Sequence, residues 1–447
     1  MQAPIMSGTT VKDGEFVKSY PINLEARAMD SGVSKGQLVT TRGTKPFGTG
    51  PGKDRGGIVW NGMHYRVMGS KLVSVSATGA VTTLADVGDD ASLAGLDYGF
   101  GRLAIRSSQR LFYWDGTTLT DVTDPDLGVV LDMLWMDGYY VTTDGTYVVL
   151  TDLSDPTSVD PLRYGSAEED PDPITGLLKY REELYVIGRN TIQVMQNTGG
   201  NGFPFSVANG AMIPTGAVSA SAKCMVGGDG FAFVGSPRNE PIAVYYYNGS
   251  LNRLSDTEID DILAEEAQPE LIQVECRAFS GERQILVHLA GKTLMVPLAT
   301  SDAAGAATWS ILHSGYFEPY RPRRAVFANG VHVVGDAASN ALGVLSERES
   351  EHFGIATDWQ FDSALMFDAG GMHLSQVELT GQFPTVKNAI FCSITRDGVQ
   401  WSREVSRVLS GRRDERVLWN PNVDLYAMGA FRFRGRSKVA ISSCEIT

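Results

Sequence analysis

Between residues 57 and 354, short runs alternate apolar with polar positions, and tight-turn residues separate the runs in pairs. A period of two puts alternate side chains on opposite faces of a strand. The first pair is IVW-NG-MHYRVMGSKLVSVS, around Asn61-Gly62. Others follow near Phe100, at Asp137-Gly138, near Glu182, at Asp229-Gly230, near Gly281 and at Asn329-Gly330. Asn-Gly and Asp-Gly suit two-residue hairpins, whose central residues both need positive φ. From Asn61 to Asn329 there are 268 residues over six intervals, about 45 per unit. This spacing predicts an all-β fold containing a β-propeller of six or seven blades. A lone four-stranded blade cannot cover both of its faces, whereas stacked blades bury them.

The flanking segments read differently. Residues 1–56 predict an extended N-terminal arm, with a Gly/Pro-dense loop at GTKPFGTGPGKDRGG. One helix is expected in LSDTEIDDILAEEAQPE. Ser255 and Glu258 form a capping-box pattern, Ile259, Ile262 and Leu263 share a face, and Pro269 ends it. The uncharged stretch from Asn190 to Ala222 reads as a long neutral loop. Residues 355–447 lose the repeat but keep strand alternation, which predicts a C-terminal β-sandwich-like domain.

Gly is in surplus, at 49 of 447 residues, which fits many turns. The net charge of −14 opposes a chain that grips nucleic acid by blanket phosphate neutralisation. Charge is uneven: residues 396–447 carry ten basic and six acidic residues, net +4, which leaves −18 for the remainder. A basic sandwich beside an acidic propeller suggests docking to an acidic partner, with Arg412, Arg413, Arg416, Arg432 and Arg434 as the docking residues. A solvated sheet face with outward arginines is the equally simple alternative. The N-terminus has no signal-peptide pattern, and no apolar run is long enough for a membrane helix. Four scattered cysteines (224, 276, 392 and 444) suggest a chain made in a reducing cytosol.

Candidate chemistry is sparse. Six histidines stand apart without metal-ligand spacing. Asp152, Asp155 and Asp160 lack EF-hand spacing and read as an Asx-turn connector. No GxSxG and no phosphate-loop motif occurs. A glycosidase needs two convergent carboxylates. The adjacent acids Glu168-Glu169-Asp170 and Asp260-Asp261 do not establish such a pair, and TRDGVQW at 395–401 reads as a hairpin turn at Asp397-Gly398. The expectation is a protein that is not an enzyme, with no cofactor, no metal and no catalytic residue. A glycan-binding or glycoside-hydrolysing propeller is the alternative.

Several strings together resemble one family. They are SYPINLEA, RGGIVWNGMHYRVMGSKLVSV, TDLSDPTSVDPLRYGSAEEDPDPITGL, RLSDTEIDDIL, SITRDGVQWSRE, DERVLW and GAFRFRGRSKVAISSCEI. In this order they are similar to the tail hub, or packaged-DNA stabilisation protein, of short-tailed phages, also called the tail nozzle. The resemblance implies a structural virion protein that forms a ring, expected to be a hexamer. It further implies retention of packaged DNA, a part in the ejection conduit, and docking to an adaptor, a needle or plug, and a tailspike or fibre. Assembly in the host cytoplasm and location in the virion tail follow from the same resemblance. The domains expected are 1–56 arm, 57–354 propeller and 355–447 sandwich.

Overall fold

In a computed structural model the chain forms two compact units. The structure describes residues 2–5, 8–29, 36–166, 172–200, 202–368, 370–384, 386–412 and 415–447. The first unit comprises Met1–Lys45, Arg277–Arg321 and Leu345–Thr447, the second Pro46–Cys276 and Pro322–Val344.

Seven antiparallel sheets follow one another along the described chain. Their first strands are Asp54–Trp60, Gly95–Gly99, Asp132–Met136, Ile174–Tyr180, Gly216–Ala217 continued by Lys223–Val226, Gln273–Phe279 and Pro322–Ala328. The strand Gly43–Thr49 completes the seventh sheet beside Ala341–Ser346, so the N-terminal segment supplies its last strand. The predicted turns at Asn61-Gly62, Asp137-Gly138 and Asn329-Gly330 all form, each with positive φ at both residues. At Asp229-Gly230 the turn instead occupies residues 227–229.

Within the second unit, each core lies between two successive sheets. Leu103 and Ile105 pack with Val67 and Leu72 of the first sheet, whereas Ala104 between them packs with Met133 and Tyr140 of the third. Further on, Val141 and Leu150 pack with Leu184 and Val186, and Ile187 and Ile192 pack with Phe231 and Phe233. One strand thus serves two cores through its two faces, so strands such as Tyr139–Thr143 are buried throughout. The neutral stretch expected as a loop contains the strands Ile192–Asn197 and Phe205–Ile213, because its polar residues sit where ladder hydrogen bonds satisfy the backbone.

The expected helix runs over Thr257–Ala264, with Ile259 and Leu263 buried. Its cap is Asp256, whose side chain accepts from Ile259 N at 3.2 Å, and not Ser255. Ser255 is buried, and its hydroxyl accepts from Val244 N at 3.1 Å. The helix ends before Pro269, which opens a separate short turn. A second helix that the apolar pattern does not signal, Leu298–Ala304, lies in the sixth sheet's connection and ends on left-handed Gly305.

In the first unit two sheets enclose a sandwich core. One contains Val377–Gln382, Val417–Trp419 and Ala440–Ile446, and the other contains Trp359–Asp362, Asn388–Thr395, Val405–Leu409 and Met428–Gly435. Residues 1–56 are not a bare extended arm. Gln2–Ala3, Leu24–Ala28 and Gly36–Thr40 join the first of these sheets, and Ala3, Ile5, Leu24, Ala26 and Leu38 lie in the core. Leu24 and Ala26 of INLEA are therefore core positions of the sandwich.

Candidate conduit and docking surfaces

Four-stranded meanders dictate where loops lie. A chain that crosses a sheet four times leaves at the end where it came in, so sheet-to-sheet connections share one end. First and third turns share the opposite end. In the second unit the connections 87–94, 122–131 and 254–272 hold eleven Asp and Glu and no Lys or Arg. Several of these acids are held by local donors. Asp90 accepts from Ser92 N and from buried Arg55, and Asp124 accepts from Asp126 N and Val159 N, which holds its carboxyl below the usual range. Asp89 and Asp90 meet the Arg55 guanidinium and Asp260 meets Arg253, so the three connections form an acidic rim that cations from the strands balance in part.

The sandwich arginines are engaged within their own sheet. Arg432 grips Asp362 through two bonds of 2.7 and 2.8 Å, with its guanidinium 4.1 Å from the Trp401 ring centroid. Arg434 grips Glu404 at 2.9 and 2.7 Å and lies over Phe391. Exposed Arg416 binds both oxygens of partly buried Glu378, holding that carboxyl below the usual range. Arg412 also has a partner, and Arg413 lies outside the described residues. Asp358, Asp362 and Glu378, which pair with Arg436, Arg432 and Arg416, precede residue 396. Counted over 358–447, the sandwich carries eleven basic and ten acidic residues, net +1. The +4 of the terminal segment is thus balanced by acids from neighbouring strands, which only sheet pairing brings alongside.

The SYPIN segment forms a joint within the first unit. Ile22 pairs with Gln360 of the sandwich and with Ile311 of the sixth sheet. Asn23, at φ 53°, donates from Nδ2 to Asp358 O at 2.7 Å and accepts on Oδ1 from His313 N at 2.9 Å. An amide has both a donor and an acceptor, and Asn tolerates left-handed backbone, so one residue meets three demands.

Deep in the second unit, Asp54 and Arg66 form a two-bond ion pair of 2.7 and 2.8 Å, both side chains fully buried. Burial and neighbouring Arg66 push the His64 pKa down to about 3, so this imidazole is neutral. Asp152, Asp155 and Asp160 each accept from a backbone N–H two residues on, as Asx turns do. Among the described residues no group of three His, Cys, Asp or Glu could hold a metal ion. Glu168-Glu169-Asp170 lies outside the described residues. Asp397 accepts from Val399 N and Gln400 N beside left-handed Gly398, the hairpin turn expected there.

The sequence comparison joins these parts. Residues 1–350 match the family description "Bacteriophage P22 Gp10, beta-propeller", and residues 358–447 match "Bacteriophage P22 Gp10, beta-sandwich". The chain belongs to the phage P22 Gp10 family. It is a structural protein family of propeller and sandwich domains, not an enzyme family. The chain is 24% identical over 485 aligned positions to the tail hub protein gp10 of Salmonella phage P22, covering 100% of this chain and 98% of that one. Among solved structures, the Neurospora crassa Pan2 WD40 domain is similar at a TM-score of 0.45 and 11% identity, covering 73% of this chain and 99% of that one. The N-terminal domain of Nup159 is similar at 0.43 and 10%, with the same coverage. No helix of the described residues is long and apolar enough to cross a membrane.

Proposed function

We propose that this protein forms the tail hub, or nozzle ring, of a short-tailed phage. In this reading six copies close a ring that helps retain packaged DNA and then lets it pass at infection. The ring docks an adaptor, a needle or plug, and tailspikes or fibres, and assembles in the host cytoplasm. The full-length match to a tail hub protein supports the hub role. The observation that carries the conduit role is the acidic rim, eleven carboxylates without one cation in the three blade connections.

The physical reason is electrostatic. Duplex DNA carries a charge every ~1.7 Å, and a few cationic contacts would make its binding tight and salt-steep. Carboxylates facing the passage repel it within a Debye length of about 8 Å at physiological salt, which keeps the genome mobile. The sandwich arginines are proposed to dock partners through whichever hydrogen-bonding edges their internal pairs leave exposed, with Arg416 the most accessible of the three placed here.

The test replaces Asp89, Asp90, Asp124 and Asp126 together with Lys in particles, and follows DNA ejection by dye fluorescence. Slower ejection that recovers at high salt is expected. Unchanged ejection at low salt removes the conduit role of the rim, and single unassociated copies in particle tails remove the ring.

A further inference from the structure

Side chains tie several successive first strands of the second unit to one another. Asp97 accepts from Trp135 N at 2.7 Å, Asp132 accepts from Leu177 N at 2.8 Å, and Glu275 accepts from Arg324 N and Ala325 N. Each of these carboxylates joins its own sheet to the next. Between the fifth sheet and the strand Gln273–Phe279 the tie is of another kind, since Gly216–Ala217 and Lys223–Val226 contain no acid. There Val274 N donates to Ser221 O at 2.9 Å, and Ser221 Oγ donates to Ile272 O at 2.8 Å. Beyond these bonds, what the fifth sheet's first strand turns toward Gln273–Phe279 is a thiol.

Strand register fixes which way each side chain points. Residues directly opposite in paired strands share a face. Lys223 pairs with Phe233, and Cys224 pairs with Ala232. Phe231 and Phe233 pack on Ile187 and Ile192 of the fourth sheet, so Lys223 faces that sheet and Cys224 faces away from it. Glu275 turns toward the seventh sheet, where Arg324 N and Ala325 N meet it, so Cys276, the next residue along the strand, faces back toward the fifth. Each strand opens an antiparallel meander, so the two run in the same direction. Counted from the bond between Val274 and Ser221, Cys276 lies two residues on and Cys224 three. Both cysteines are free and part-buried. Burial pushes both thiols up, Cys276 to about 11, and the nearness of Cys276 raises Cys224 further. Two thiols thus face one another across a joint whose register a backbone hydrogen bond sets.

We propose that Cys224 and Cys276 are an oxidisable dithiol that closes into a disulfide staple between the first strands of the fifth and sixth sheets. With a disulfide oxidant such as oxidised glutathione, one cysteine thiolate attacks the oxidant, forms a mixed disulfide and releases one reduced glutathione. The other cysteine then attacks the mixed disulfide and releases the second. One S–S bond forms in the protein as one breaks in the oxidant, and the two cysteine protons end on the two glutathiones. The raised thiols hold little thiolate at neutral pH, so closure is slow there and faster in mild alkali. The bond closes the loop from residue 224 to 276, which restricts the unfolded chain. A fold made with both thiols reduced therefore tightens at this joint when its surroundings turn oxidising. The staple does not depend on the tail-hub reading.

Incubating the folded full chain with oxidised glutathione in mild alkali, then reading its intact mass and its unreduced peptides, tests the assignment. The expected product is a monomer lighter by two hydrogen atoms, with one peptide pair joined through Cys224 and Cys276. It should melt roughly 5–10 °C above the reduced chain, and a thiol reductant should abolish the gain. Cys224→Ser and Cys276→Ser should each lack the gain under the same oxidant. Glutathione adducts that persist on either cysteine without the joined peptides, joined peptides only between copies, or thiols that stay free in the folded chain overturn the proposal. A joined form that melts lower than the reduced chain also overturns it, because the bond would then strain the joint. The peptide map is read on the unaltered chain, so it decides the pairing even where a serine variant does not fold.

Discussion

Lys223 reaches across Gly176 to place its ammonium 2.7 Å from the Asp132 carboxylate. The three residues belong to the fifth, fourth and third sheets, so one ion pair ties three successive blades. It exists because Gly176 has no side chain. A Cβ there would lie 2.6 Å from Lys223 Cε and 3.1 Å from an Asp132 oxygen. Asp132 also accepts from Leu177 N at 2.8 Å, so its carboxylate joins two first strands directly. Gly176→Ala should cost about 1–3 kcal/mol by overpacking, read as a lower denaturation midpoint with unchanged slope. An unchanged midpoint would show that the pair yields without cost.

Asn23 should prove irreplaceable by either a smaller or a charged residue. Asn23→Ala leaves His313 N and Asp358 O without partners and puts Ala in left-handed backbone, an expected loss of about 2–4 kcal/mol. Asn23→Asp keeps only the acceptor and should fall between the two. Hydrogen exchange at Ile22, His313 and Gln360 reads the joint directly, and protection equal to wild type in Asn23→Ala would refute its role.

Arg432 and Arg416 should behave oppositely. Asp362 is buried, and apart from Arg432 the side-chain donor it has is Ser19 at 2.8 Å. Arg432→Ala should therefore cost about 3–5 kcal/mol, the price of an unpaired buried carboxylate. Arg416 is itself exposed and reaches partly buried Glu378 from the surface, so Arg416→Ala should cost no more than about 1 kcal/mol and barely move the melting temperature. Any defect it causes in particle assembly then reports docking, whereas intact assembly withdraws Arg416 from the interface.

Acid should destabilise the fold through buried histidines. Burial pushes both His352 and His64 down to about 3. Each folded-state value lies below the unfolded 6.5, so the unfolded chain binds more protons between them. Stability is therefore full above about pH 6.5 and falls as pH drops toward 3, by roughly 2 kcal/mol per histidine at pH 5. His352→Gln should flatten the profile between pH 7 and 5 relative to wild type. A profile of unchanged slope would show that His352 does not carry the dependence.

The repeat is written into the chain locally. Hairpin signals every 45 residues or so, Asn-Gly and Asp-Gly turns, and apolar alternation are local properties, and the turns at Asn61, Asp137 and Asn329 formed where these signals lie. Much of the acidic rim was also legible, because chain order and antiparallel pairing alone assign the connections to one end of the sheets. The remaining features emerge on folding, because they depend on partners distant in sequence. Leu24 and Leu38 look like residues of a loose arm until the last strand, Ala440–Ile446, lies beside them. Arg432 looks like a free cation until Asp362, 70 residues earlier, pairs with its strand. Asn23 looks like a turn residue until His313 and Asp358 meet its amide. Charge and hydrophobicity summed along a window cannot contain such pairings, because a sheet joins strands by register and not by proximity in the chain.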